Sequence, residues 1–159
     1  MSDHSFTTAF TVSQTPGAAF AAITNVRGWW SEDIDGHSDK VGAEFTYRFR
    51  DIHRCTMKIT ELVPGKKVAW RVMDNYFNFT KDTSEWTGTD IVFDILGKGD
   101  KTEVRLTHHG LVPEYECYAA CKDGWSTYIK GSLHDLIATG KGQPNLGEPL
   151  TDHERELVL

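Results

Sequence analysis

The side chains able to do acid–base or ligand chemistry in this chain of 159 residues are few, and two histidines stand out among its seven. His53 and His108 each sit in the inward phase of a segment that alternates apolar and polar residues. An imidazole exchanges a proton near neutral pH. Either one can therefore orient the polar end of a small molecule or simply bond a loop carbonyl, and His108 with Tyr128 or His53 is the one plausible acid–base set. If their segments are strands of one antiparallel meander, three strand spacings separate them, roughly 14 Å on a flat sheet. The polar end of a ligand fits between them at that distance. Cys117 and Cys121 lie four apart with His108 and His109 upstream, a spacing a metal can use in principle. No tight Cys-x-x-Cys or His-x-x-x-His pair accompanies them and Cys121 belongs to an apolar stripe, so buried thiols, and no metal, are expected. There is no Gly-x-Ser-x-Gly elbow, phosphate loop or dinucleotide fingerprint, and Gly97-x-Gly99 falls in a hairpin. Nucleophilic chemistry, nucleotide chemistry and a cofactor are not expected.

Rings are far more abundant, with five Trp, five Tyr and eight Phe. Phe45, Tyr47, Phe49, Met57, Trp70 and Phe93 have the inward phase of strand-like segments, and Trp125 and Tyr128 lie on a helical stripe with Cys121. Together with Trp30 and Trp86 they allow two outcomes: a solid core, or a cavity for an apolar or aromatic small molecule. In the second, Trp30, Phe45, Tyr47, Phe49, His53, Met57, Trp70, Trp86, Phe93, His108, Cys121, Trp125 and Tyr128 form the ligand site. None of them is expected to be catalytic in that case.

The elements that must hold these residues read in order along the chain. Phe6, Thr8, Phe10 and Val12 alternate as a first strand, and Thr15-Pro16 caps a short helix through Ile23, followed by a second helical turn near Val26 to Trp30. Five further strands carry Phe45 to Phe49, Cys55 to Ile59, Val68 to Val72, Ile91 to Ile95, and Val104 to Leu106. Turn chemistry at Pro64-Gly65-Lys66 and Gly97-Lys98-Gly99-Asp100 suits antiparallel hairpins. One long connection, Met73 to Gly88, holds Tyr76, Phe77, Phe79 and Trp86 and is a lid candidate. Glu116 to Thr139 changes to helical period, its apolar stripe running through Cys121, Trp125, Ile129, Ser132 or Leu133, and Leu136, and it should end at Gly140. Gly124 and Gly131 share one side of that helix, where close approach of a strand backbone explains them best.

The class is α+β: about six antiparallel strands curved around one long C-terminal helix, with residues 1–142 as a single domain and 143–159 as a partly ordered tail. The net charge of −6 and the scattered Lys and Arg carry no footprint for nucleic acid or an anionic membrane. Neither is an expected partner. Apolar runs are too short for a span or a signal peptide, and three cysteines form an odd set, so a reduced, cytoplasmic protein is expected.

Five local motifs occur in order: Trp29-Trp30; Gly42-x-x-Phe45; Glu85-Trp86-x-Gly88-Thr89; Thr102-x-Val104-x-Leu106-Thr107-His108 with Gly110-Leu111; and Cys121-x-x-Gly124-Trp125-x-x-Tyr128-x-x-x-Ser132-Leu133. As an ordered set over roughly residues 5 to 142 they resemble the small bacterial START-like (SRPBCC) proteins, and are most similar to the group related to the activator of the heat-shock-protein-90 ATPase. The resemblance implies a helix-grip fold. It also implies a range of functions, because the superfamily includes lipid carriers, plant hormone receptors, polyketide cyclases, ring-hydroxylating oxygenase domains and co-chaperone domains. Binding of a small apolar or aromatic molecule is the first expectation. A cyclase or hydratase using His108 is the second. The third is a protein-interaction role, with a protein partner or a homodimer, in a chain that reads as a lone domain without the additional N-terminal domain of the full-length eukaryotic activator.

Overall fold

The computed structural model describes residues 5–50, 52–78, 80–81, 86–112 and 118–145. Among them, seven strands form one antiparallel sheet: β1 (Phe6–Val12), β2 (Ile34–Gly36), β3 (Glu44–Phe49), β4 (His53–Val63), β5 (Lys67–Phe77), β6 (Asp90–Lys98) and β7 (Lys101–His109). Their order is β1-β7-β6-β5-β4-β3-β2, a meander whose first strand returns to pair with its last. The inward residues alternate as their sequence dictates, so that Phe45, Tyr47 and Phe49 face the interior beside Cys55, Met57 and Ile59.

Two details depart from the sequence reading. β2 is additional; at three residues, with an exposed Asp35 and Gly36, it is too short to alternate. The connection after β5 is shorter than expected, because Met73 to Phe77 continues the strand. Asp74, Asn75, Tyr76 and Phe77 pair with Thr56, Cys55, Arg54 and His53 across a register shift at Thr56/Met57. β5 pairs with β6 only over Lys67 to Arg71. Beyond Arg71, β5 therefore leaves β6 and runs on beside β4 alone, while β4 keeps β3 on its other side; this end of the sheet carries His53, Asn75 and Phe77.

Two short helices follow β1. In α1 (Pro16–Thr24) Thr15 caps the N-terminus, its side chain accepting from the Ala18 amide at 3.1 Å. α2 (Val26–Trp29) delivers Trp29 and Trp30 to the core.

The concave face is covered by the C-terminal helix, composed of α3 (Tyr118–Ser126), a π-helical segment (Thr127–Leu133) and α4 (His134–Thr139). Its buried row is Cys121, Trp125, Ile129, Leu133 and Ile137. The step is four residues where an α-helix turns in about 3.6, so a regular helix would rotate this row off the sheet. The wider i→i+5 turns of the π segment absorb the surplus. This is why Ile137, and not the expected Leu136, is the last buried residue of the stripe. Gly140, at φ +84°, ends the helix.

The expectation for Gly124 and Gly131 is overturned. A Cβ built on either meets nothing within 4 Å. The close approach lies elsewhere: a Cβ on Gly28 would come within 3.0 Å of the Leu136 side chain, and one on Gly142 within 2.5 Å of the Gly28 carbonyl oxygen. Through these two glycines α2 is pressed against the segment after the helix. There Ser132 donates to the Trp29 carbonyl at 2.6 Å and the Asn145 amide to the Trp30 carbonyl at 2.8 Å. Beyond Asn145, the expectation of a partly ordered tail lies outside the described residues.

Candidate functional site

The His53 end of β4, the Phe77 end of β5, the end of β7, the turn at Trp86 and the N-terminal half of the C-terminal helix converge at one end of the sheet. His53 and His108 stand there on strands three spacings apart, as the meander requires. Between them lies the indole of Trp86, with ring centroids 4.9 Å from His53 and 4.7 Å from His108. Trp86 also stacks on Trp125 at 5.7 Å and meets Phe77 edge-on at 5.5 Å. The gap read from the sequence as room for a ligand is thus the size of an aromatic ring, and it holds one.

The hydrogen bonds around His108 define a single tautomer. Trp125 Nε1 can only donate, so His108 Nδ1 accepts from it at 3.1 Å. The Nε2–H of His108 then donates to Thr89 Oγ1 at 2.8 Å, and the Thr89 hydroxyl donates to the Trp86 carbonyl. Burial lowers His108 to about 3 from 6.5, and the nearby His109 and His53 add to the effect. In this arrangement His108 has no lone pair left for a substrate. A general base is the one role its geometry does not provide.

His53 is half-buried, and its Nε2–H donates to Asn75 Oδ1 at 3.1 Å. Burial also lowers it to about 3, against the raising effect of that hydrogen bond. The remaining groups are short of partners. Trp70 Nε1, Asn75 Nδ2 and Trp86 Nε1 are buried and meet no acceptor among the described residues. Each such donor costs about 1–3 kcal/mol relative to a satisfied one.

Residues 14–138 match the family described as activator of Hsp90 ATPase homolog 1-like protein. The chain belongs to this family. Its fold is the helix grip of the START-like superfamily, and solved structures agree. The solution structure of the Aha1 dimer from Colwellia psychrerythraea is 28% identical, with a TM-score of 0.70, covering 89% of this chain and all of that one. DynU16, a putative protein in the dynemicin biosynthetic locus, superposes with a TM-score of 0.66 at 16% identity, over 89% of this chain and 49% of its own. CalU16 from Micromonospora echinospora follows at 0.60 and 11%, over 84% of this chain and 74% of its own. At those identities the last two speak for the fold alone. No curated protein matches the chain.

In this Hsp90-activator-like domain the candidate residues form one connected set of buried rings, with one cluster around Trp70 and another around the two histidines. Trp29, Trp30 and Trp70 stack at 5.9–6.4 Å, with Phe45 and Phe93 edge-on to Trp70 at 5.0 Å. Trp30 links the Trp70 cluster to Trp125 at 5.4 Å and to Tyr47 at 4.5 Å, and Tyr47 reaches His53 at 5.3 Å. Phe49, Met57 and Cys121 are buried nearby. Tyr128 is buried in the π segment, and its hydroxyl accepts from Asn145 Nδ2 at 3.0 Å. Among the described residues no hydrogen bond or ring contact joins it to His108.

The sequence reading missed Trp29, Asn75, Phe77 and Thr89 as site residues. Trp29 carried a signal in the Trp29-Trp30 pair. Asn75 and Phe77 were hidden because the register shift breaks the alternation that would have marked them as inward. Cys117 lies outside the described residues, and among those described no group of three or more His, Cys, Asp or Glu is placed to hold a metal. Nor is any helix among them long and apolar enough to cross a membrane.

Proposed function

We propose that this domain binds an apolar or aromatic small molecule between the curved sheet and the C-terminal helix, with a ring of the ligand taking the place of the Trp86 indole. One observation carries the reading. The ring between His53 and His108 comes from the turn at Trp86, and neither from a strand nor from the covering helix. Among the described residues its N–H meets no acceptor, so an equally large guest without a donor there removes that one stranded group. The walls that remain, Phe77, Trp125 and the two neutral imidazoles, are flat, uncharged rings. Trp30, Tyr47 and Trp70 continue them inward. The same features favour binding over catalysis, since the hydrogen bonds of His108 are already committed. A cytoplasmic setting suits the buried thiols Cys55 and Cys121. As a protein partner we favour a second copy of the chain, on the strength of the Colwellia relative solved as a dimer.

Protein labelled with 5-fluorotryptophan at its five positions and titrated with N-phenyl-1-naphthylamine tests the exchange. Saturable binding at one probe per chain should move the resonance of Trp86, assigned from a Trp86→Phe variant, to a solvent-exposed shift. Absence of binding, or binding that leaves the Trp86 resonance in place, overturns the proposal.

A further inference from the structure

Among the described residues, the buried side-chain polar atoms left without partners share one character. Trp70 Nε1, Asn75 Nδ2 and Trp86 Nε1 are all N–H donors, and their residues are 0%, 4% and 4% exposed. Native interiors leave few such groups. Two of the three, Trp70 and Asn75, lie on the inner face of β5, with Val72 between them. Asn75 is also oriented, because His53 holds its Oδ1 and leaves Nδ2 as the free end of the amide.

Charge is missing from the same space. Among the described residues no Lys, Arg, Asp or Glu is buried, and burial keeps both imidazoles neutral. A carboxylate placed here would face donors but no counter-charge, an expensive arrangement in a dry interior. A neutral oxygen needs only the donors.

Resting on the binding reading above, we infer that the ligand carries a neutral hydrogen-bond acceptor on a flat apolar frame, a ketone or quinone type of oxygen, received by Asn75 Nδ2. Trp70 Nε1, deeper along β5, can receive a second acceptor on a longer molecule. The inference differs from simple apolar binding in requiring that hydrocarbon isosteres bind poorly.

Fluorenone and fluorene, which share a frame and differ in C=O against CH₂, separate the two ideas. Equilibrium dialysis should show fluorenone bound at least about tenfold more tightly than fluorene, the margin of one satisfied buried donor. Fluorene-9-carboxylate should bind more weakly than fluorenone. In Asn75→Leu the margin should collapse. The infrared carbonyl band of fluorenone bound to the unmodified protein should shift to lower frequency relative to fluorenone in hexane, a readout independent of the variant's folding. Equal binding of fluorene and fluorenone, tighter binding of the carboxylate, or an unshifted carbonyl band overturns the inference and leaves the apolar site standing. If neither fluorene nor fluorenone binds, the site itself fails, and the inference with it.

Discussion

Lowering the pH from 7 to 4.5 should cost the folded domain on the order of 3–5 kcal/mol, a large fraction of the stability of an ordinary domain. The cause is two histidines that folding keeps neutral. His53 and His108 sit near 3 when folded and near 6.5 when unfolded. Between those values the unfolded chain binds two protons that the folded chain excludes, so stability rises with pH across that window. It is complete above about 6.5, falls by at most about 1.4 kcal/mol per unit for each imidazole, and levels off below about 3. His108, wholly enclosed, supplies the larger share; His53, partly open to water, supplies the smaller. Urea unfolding at a series of pH values should give a slope approaching two protons, and His108→Gln should reduce it by about one. A pH-independent stability between 4 and 7, or a His108 resonance titrating near 6.5 in the folded protein, would contradict this.

Trp30→Ala should be the most damaging single change in the core, at about 4–5 kcal/mol. Trp30 touches Trp29, Phe45, Tyr47, Trp70 and Trp125, so its loss opens a cavity where the Trp70 cluster meets the one around the two histidines. Neighbouring indoles are too rigid to close it. Trp30→Phe should recover part of the loss. By comparison Arg48→Ala, which breaks the exposed pair with Asp35 at 2.8 Å, should change stability by less than about 1 kcal/mol, because solvent screens such pairs. Chemical denaturation of the three variants reads the ranking directly. A Trp30→Ala loss below that of Arg48→Ala would contradict the central position given to this indole.

The sheet was legible because its strands alternate cleanly. Phe45-x-Tyr47-x-Phe49 and Ile91-x-Phe93-x-Ile95 can bury a face in only one register, and hairpin turns leave only a meander to build. Legibility failed where the period itself changes. The register shift at Thr56/Met57 moves Asn75 and Phe77 inward against the count from Trp70, and the π segment carries the buried row from Leu133 to Ile137. Both irregularities come from packing on neighbouring elements, which local spacing does not encode. The candidate site was legible in its members but not in its contacts. His53 and His108 were the right pair of imidazoles to single out, yet only the fold puts Trp86 between them and commits both nitrogens of His108 to Trp125 and Thr89.

The central claim is that a small apolar or aromatic molecule occupies this interior. Native mass spectrometry of the protein purified gently from its own host, compared with its denatured mass, tests it most directly. A reproducible small-molecule adduct that is lost on denaturation, and is absent from Trp125→Ala, is the expected result. A bare protein mass, in preparations that also fail to take up N-phenyl-1-naphthylamine, would contradict it and leave the rings as a packed core.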